Sequence, residues 1–268
     1  MSATESVSHA APSAATKPSG PASRSRILVY QILFICGFFA VWELAVSMEW
    51  APVYLYGQPS GIYTKTITLL QEGELLTHLG LTAFEAITGF IIGTTLGSLC
   101  GLALWLSDTA ARIFRPIIVA INGVPKIALA PLIVVWFGVG IGAKVAIAAS
   151  LTFIVALITV YQGTKEIDID LIKLMRSLGA SNRTVWKKVI IPGSVPWIMS
   201  TLRLNIGFAM IGAVVGEYIS AKQGIGYFIY NAGAVYDLNA VFVGIFGLMF
   251  LALLLDYILI KVEEKFKW

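Results

Sequence analysis

Charge is scarce in this chain. Asp, Glu, Lys and Arg make up 13% of its residues, about half the share of an ordinary soluble domain. Histidine is scarcer still, with His9 and His78 alone, too few and too far apart for a metal site. The two cysteines, Cys36 and Cys100, each lie inside an apolar stretch, so no disulfide framework is implied. No Gly-x-x-x-x-Gly-Lys-Ser/Thr run, dinucleotide fingerprint or Ser/His/Asp set occurs. These absences argue against nucleotide hydrolysis by this chain and against redox, metal or nucleophilic catalysis, so no catalytic residue, metal ligand or cofactor is expected of it. The net charge of +4 is confined to a few loops and is not the basic patch that nucleic acid requires.

What fills the chain is apolar. The hydrophobic share is 57% and the mean hydropathy is +0.83. At about 20 apolar residues per crossing, the length suits about six transmembrane helices, an all-α multi-pass membrane protein. Residues 1–23 are rich in Ser, Ala, Thr and Pro without periodicity and read as a disordered cytoplasmic tail; residues 24–268 read as the membrane domain. Arg24 and Arg26 precede a span from Ile27 to Ser47, and the positive-inside rule places that end in the cytoplasm. Residues 48–78 form an outer segment with a surface helix from Ser60 to Leu70, its inner face Ile62, Thr66, Leu69 and Leu70. The second span, Leu79 to Leu106, carries Gly89, Gly93, Gly97 and Gly101 at intervals of four, which predicts close approach of another helix.

Pro116, Gly123, Pro125 and Pro131 interrupt the next apolar stretch. The spacing predicts a short inner helix before Pro125 and a span after it, broken backbone being tolerated where protein or a cavity surrounds it. Further spans are expected at Val145 to Tyr161, Val195 to Val215 and Ala240 to Ile260, with 216–239 an outer loop or re-entrant turn. Lys261, Lys265 and Lys267 put the C-terminal end in the cytoplasm as well.

The longest charged run between apolar segments is Asp168 to Pro192, within a cytoplasmic loop spanning 164–192. Leu171, Leu174, Met175 and Leu178 make one apolar stripe at helical spacing, with Lys173, Arg176 and Ser177 on the other side. Asp168 and Asp170 suit a helix start, Gly179 a left-handed end, and Ser181 the cap of a second helix that Pro192 stops. The residues predict a helix, a glycine turn and another helix. A solvated loop lying on lipid headgroups fits the same periodicity.

Few charges stand inside spans: Glu85, Lys126, Arg203 and Asp256. Arg203 and Asn205 fall about halfway along theirs. A mid-span arginine costs roughly 3 kcal/mol, so it either lines a solute path or pairs with Asp256 or backbone carbonyls. Lys126 follows a helix break and so faces a cavity. Trp136 is either a gate or an interfacial anchor.

The loop resembles the cytoplasmic signature of binding-protein-dependent ABC importer permeases, in which a Glu-Ala-Ala triplet precedes a glycine and an Ile-x-Leu-Pro ending follows. Here Arg176-Ser177-Leu178-Gly179-Ala180-Ser181 and Val189-Ile190-Ile191-Pro192 keep the spacing, while Lys173-Leu174-Met175 replace the triplet. Gln58-Pro59-Ser60, Val124-Pro125-Lys126-Ile127-Ala128, Trp136-Phe137-Gly138-Val139-Gly140, Gly216-Glu217-Tyr218 and Gly224-Ile225-Gly226-Tyr227 are similar to the nitrate, sulfonate and taurine branch. That branch commonly has a basic residue where Glu85 stands. The resemblance implies a type I ABC importer permease fold in a bacterial plasma (inner) membrane. It also implies a homodimer, two cytoplasmic ABC ATPase subunits that bind ATP and Mg, and a periplasmic or lipid-anchored solute-binding protein outside. Leu171, Lys173, Leu174, Met175, Arg176, Ser177, Leu178, Gly179, Ala180 and Pro192 would then couple to the ATPase. Glu85, Lys126, Trp136, Arg203, Asn205 and Glu217 are the candidate translocation residues. The implied solute is a small anion. An importer of the same family for a vitamin precursor or aromatic solute, an ion-coupled secondary transporter and a scaffold without transport remain the alternatives.

Overall fold

The computed structural model describes residues 24–265; the expected tail over 1–23, with His9, and the terminal Lys267 lie outside the described residues. Every element among them is helical. In chain order these are α1 (Arg24–Ser47), α2 (Val53–Tyr56), α3 (Pro59–Gln71), α4 (Glu74–Leu104), α5 (Asp108–Gly123) and α6 (Ala130–Phe137). There follow α7 (Ile141–Lys165), α8 (Ile169–Ser177), α9 (Asn182–Val185), α10 (Ile191–Ser220), α11 (Ile225–Ala234) and α12 (Leu238–Glu264). Five helices are long and apolar enough to cross a membrane, and a bent pair makes a sixth candidate, in agreement with about six spans.

The centre is a three-helix stack of α4, α7 and α10. In lipid no hydrophobic force draws helices together, so close backbone contact has to do it. The glycine ladder supplies that contact. A Cβ at Gly89 would lie 3.0 Å from the Ala149 amide, and one at Gly101 would lie 2.8 Å from the Leu157 carbonyl; at Gly93 it would fall into the Thr152 hydroxyl and the Ala149 carbonyl. On an adjoining face of α7, Gly212 and Gly216 of α10 press on Ala148 and Lys144. Gly212 does not stand out in the sequence, and Gly216 does so only as part of Gly216-Glu217-Tyr218, because two glycines four apart make a shorter signal than the ladder of four in α4.

Two expectations about prolines need correcting. The chain after Pro125 is not a span: a 3₁₀ turn (Lys126–Leu129) leads into α6, whose eight residues cover about 12 Å. The pair from Asp108 to Phe137 is bent by 91° at that break, since Pro125 cannot continue the donor ladder of α5 and holds Val124 extended. Pro192, conversely, stops nothing. Asn182–Ser220 runs on as one 39-residue helical rod, because Trp186–Ile190 form a π-helical turn in which the Ile191 amide reaches back to the Trp186 carbonyl. That wider turn relieves the clash a proline ring makes with the carbonyl four residues earlier. The rod also extends past Val215 to Ser220, and the expected outer loop contains α11.

The outer end is tied by side chains. Glu43 of α1 accepts hydrogen bonds from Ser60 N (3.0 Å), Ser60 Oγ (2.8 Å) and Gln58 Nε2 (2.7 Å), which satisfies the free end of α3. The expected surface helix is α3, and it buries Ile62 and Leu69 against Leu75, Ile225, Ile229 and Val243. Asp237 caps α12 through Ala240 N (3.0 Å) and pairs with Lys65 of α3 (3.0 Å).

Two outcomes follow. Gly93→Ala should destabilise the purified protein by about 1–3 kcal/mol or prevent folding, whereas Gly80→Ala in the same helix, whose Cβ meets nothing within 4 Å, should be neutral; thermal midpoints in detergent check this. For Asp237, partial burial disfavours the charge, but the Ala240 amide and Lys65 outweigh it and hold the carboxyl below the usual aspartate value. A depressed folded-state value means the contribution is present above the unfolded-chain value and is lost as pH falls through the folded one. Asp237→Asn should therefore lower the midpoint near neutral pH, by less than about 1 kcal/mol for so exposed a pair, and the difference from the parent should vanish in strong acid.

Candidate functional site

The helix, turn and helix expected over Asp168 to Pro192 exists as a compact knob. Asp168 Oδ1 accepts the Asp170 amide (2.8 Å) and starts α8. At the other end Gly179 has φ +78°, its amide bonds the Arg176 carbonyl (3.0 Å) and the Ala180 amide bonds the Met175 carbonyl (3.0 Å). This is a Schellman ending, which requires the left-handed residue a glycine supplies. Ser181 then caps α9 through the Thr184 amide (3.3 Å).

The apolar stripe divides in two. Leu171, Leu174 and Leu178 are exposed, Leu178 to 75%. Met175 turns inward beside Ile172, which the stripe did not include, and both pack on Leu102, Val160, Val185 and Ile190. Trp186 Nε1 donates to the Leu102 carbonyl (2.9 Å). The knob is thus bolted to the ends of α4 and α7 while presenting three leucines outward. Lys173 pairs locally with Asp170 (2.9 Å), Arg176 leans on Asn182 (3.4 Å), and the Ser177 hydroxyl donates to the Leu174 carbonyl (2.8 Å). Ala180 is half-buried, and Pro192 lies at the start of α10.

The six candidate translocation residues are not brought together. Glu85, Asn205 and Glu217 are fully buried inside the α4, α7 and α10 stack. Asn205 donates to Thr94 Oγ1 (2.8 Å) and the Thr152 carbonyl (3.0 Å), joining all three helices. Glu85 pairs with Lys144 of α7 (3.1 Å). Glu217 is in the last turns of α10, where it accepts hydrogen bonds from Thr82 Oγ1 and the Gly226 amide, both at 2.6 Å.

The other three are peripheral. Lys126, half-buried at the break, donates to Asn122 (3.1 Å), and Trp136 is 68% exposed. Arg203 is not paired with Asp256: its guanidinium donates to Glu263 at 2.6 and 3.1 Å, with the side chain half exposed. Arg203 lies near the middle of the rod Asn182–Ser220 and meets α12 at its last turn.

Known proteins share this sequence and this fold. The Formylaminopyrimidine transport permease protein ThiX of Halalkalibacterium halodurans is 34% identical over 222 residues, 83% of this chain and 88% of that protein. The Taurine transport system permease protein TauC of Escherichia coli is 29% identical over 229 residues, covering 84% and 83%. An inward-facing structure of the MetNI methionine ABC transporter superposes with a TM-score of 0.59 at 20% identity, over 74% of this chain and 97% of that one. Residues 75–267 match the family described as the binding-protein-dependent transport system inner membrane component, and the chain belongs to that family.

Proposed function

We propose that this chain is the membrane-spanning permease of an ATP-driven importer, acting as a homodimer in a bacterial plasma membrane with both termini cytoplasmic. In this reading a solute-binding protein docks on the outer segments and two cytoplasmic ATPases bind ATP and Mg. Their movement is passed through the loop over 164–192 to the spans, so that a central path opens alternately outward and inward. The permease makes and breaks no covalent bond.

The observation that carries the reading is the knob: Leu171, Leu174 and Leu178 stand exposed on a helix whose other face is fixed to the spans by Ile172 and Met175. An apolar helix face fits a groove on a partner, and its rigid attachment lets a push on the knob become a movement of whole helices. Lys126, at the break between α5 and α6, and Trp136, exposed in the last turn of α6, are the residues proposed to face the path, the first because irregular backbone at membrane depth lines cavities. A cation there favours a small anion, a reading to which the taurine permease relative lends support. A pyrimidine vitamin precursor is the second reading, favoured by the likeness to the formylaminopyrimidine permease.

In vesicles containing the full complex, Leu174→Glu should leave the thermal midpoint unchanged but cut both uptake and solute-stimulated ATP hydrolysis by about tenfold or more. Undiminished uptake would sink the coupling role, and uptake driven by an ion gradient without ATP would favour the secondary carrier. With Cys36 and Cys100 replaced, Lys126→Cys should react with a water-soluble thiol reagent while Asn205→Cys stays inert; the reverse order would remove Lys126 from the path.

A further inference from the structure

Glu85, Lys144 and Glu217 meet in an enclosure formed by α4, α7 and α10, at 0%, 4% and 1% exposure. Two carboxyls therefore share one ammonium. The Lys144 Nζ lies 3.1 Å from Glu85 Oε1. Glu217 is already satisfied as an acceptor, Oε1 by the Thr82 hydroxyl and Oε2 by the Gly226 amide. Apart from the Lys144 ammonium beside Oε1, neither Glu85 oxygen has an N–H or O–H donor from the protein, and the Glu217 carboxyl is its neighbour.

Two ionised carboxylates are acceptors only, so in contact they repel and neither satisfies the other. With both ionised the enclosure would also hold a net negative charge away from water, an expensive arrangement. The other groups facing it do not supply a second cation. The His78 ring accepts the Gly224 amide at Nδ1 (2.9 Å), so that nitrogen carries no proton, and Tyr218 is a neutral phenol beside Glu217. The start of α11 contributes backbone amides.

We infer that the Glu85–Glu217 contact is a binding site for one resident proton, held on the Glu85 carboxyl and donated in a hydrogen bond to the Glu217 carboxylate. The ligand is a hydron and the site is electroneutral: Lys144 carries one positive charge, Glu217 one negative charge, and Glu85 none. Its role is positioning. An ionised Glu217 holds the turn at Gly224 to Gly226, where Gly224 has φ +113° and a Cβ would strike the Glu217 carboxyl. The proton lets Glu85 pack against Glu217 without pushing it off that turn.

The test uses the full chain in lipid nanodiscs near neutral pH, read by infrared spectroscopy and thermal unfolding. The carbonyl stretch of a protonated carboxyl should be present in the parent and missing from Glu85→Gln. Glutamine has the shape of the protonated acid and can donate in the same direction, so the midpoint of Glu85→Gln should stay within about 3 °C of the parent. Glu217→Gln turns a donor towards amide and hydroxyl donors, and its midpoint should fall by more than about 5 °C. An unchanged carboxyl band in Glu85→Gln would overturn the proposal, and so would failure of Glu85→Gln to fold. Equal tolerance of the two substitutions would assign the proton to neither carboxyl in particular and overturn it as well.

Discussion

Close approach of α7 to α4 is the constraint from which the remaining geometry follows. Gly89, Gly93, Gly97 and Gly101 remove the side chains that would hold the two backbones apart, and Thr152 then reaches the Gly89 carbonyl across the gap at 3.3 Å. With α7 seated, α10 has a fixed surface to meet. Gly212 and Gly216 let it settle there, and Asn205 ties it to both partners. In a solvent as apolar as the side chains themselves, such contact and such polar ties are what distinguish one packing from another.

Each end of the stack is organised by backbone that departs from the α-helix. At one end the Gly224 turn is held by Glu217, Thr82 and His78. At the other the π turn at Trp186–Ile190 carries the rod of α10 past Pro192 and into the knob without a hinge. Together with the Ile172 and Val185 core, that continuity makes α8 an extension of the spans. A knob on a flexible tether would lose any imposed movement before it reached them.

Much of this was legible where the cause is local in sequence. The glycine interval, the Asp168 cap and the Gly179 ending each depend on residues within a few turns of one another and appear as expected, and of the face expected on α3 Ile62 and Leu69 are buried while Leu70 is exposed. What depends on tertiary neighbours was not. Glu85, Lys144 and Glu217 come from three helices far apart in the chain, and nothing in their surroundings marks them as partners. The two prolines show why identity alone does not fix an outcome: Pro125 breaks the helix, but at Pro192 a single π turn absorbs the ring. Arg203 does lie about halfway along its helix, but its partner is Glu263 from the last turn of α12 and not Asp256, a pairing set by how the two helices pack.

The first helix stands outside all of this. Residues 26–41 of α1 are exposed, and near the other end of the helix Trp42 meets Phe242, Glu43 holds α3 and Val46 is buried. Within one copy of the chain those turns offer apolar side chains outward, so the fold of that copy asks of them a length that spans the bilayer and an oily surface before it asks for any one shape.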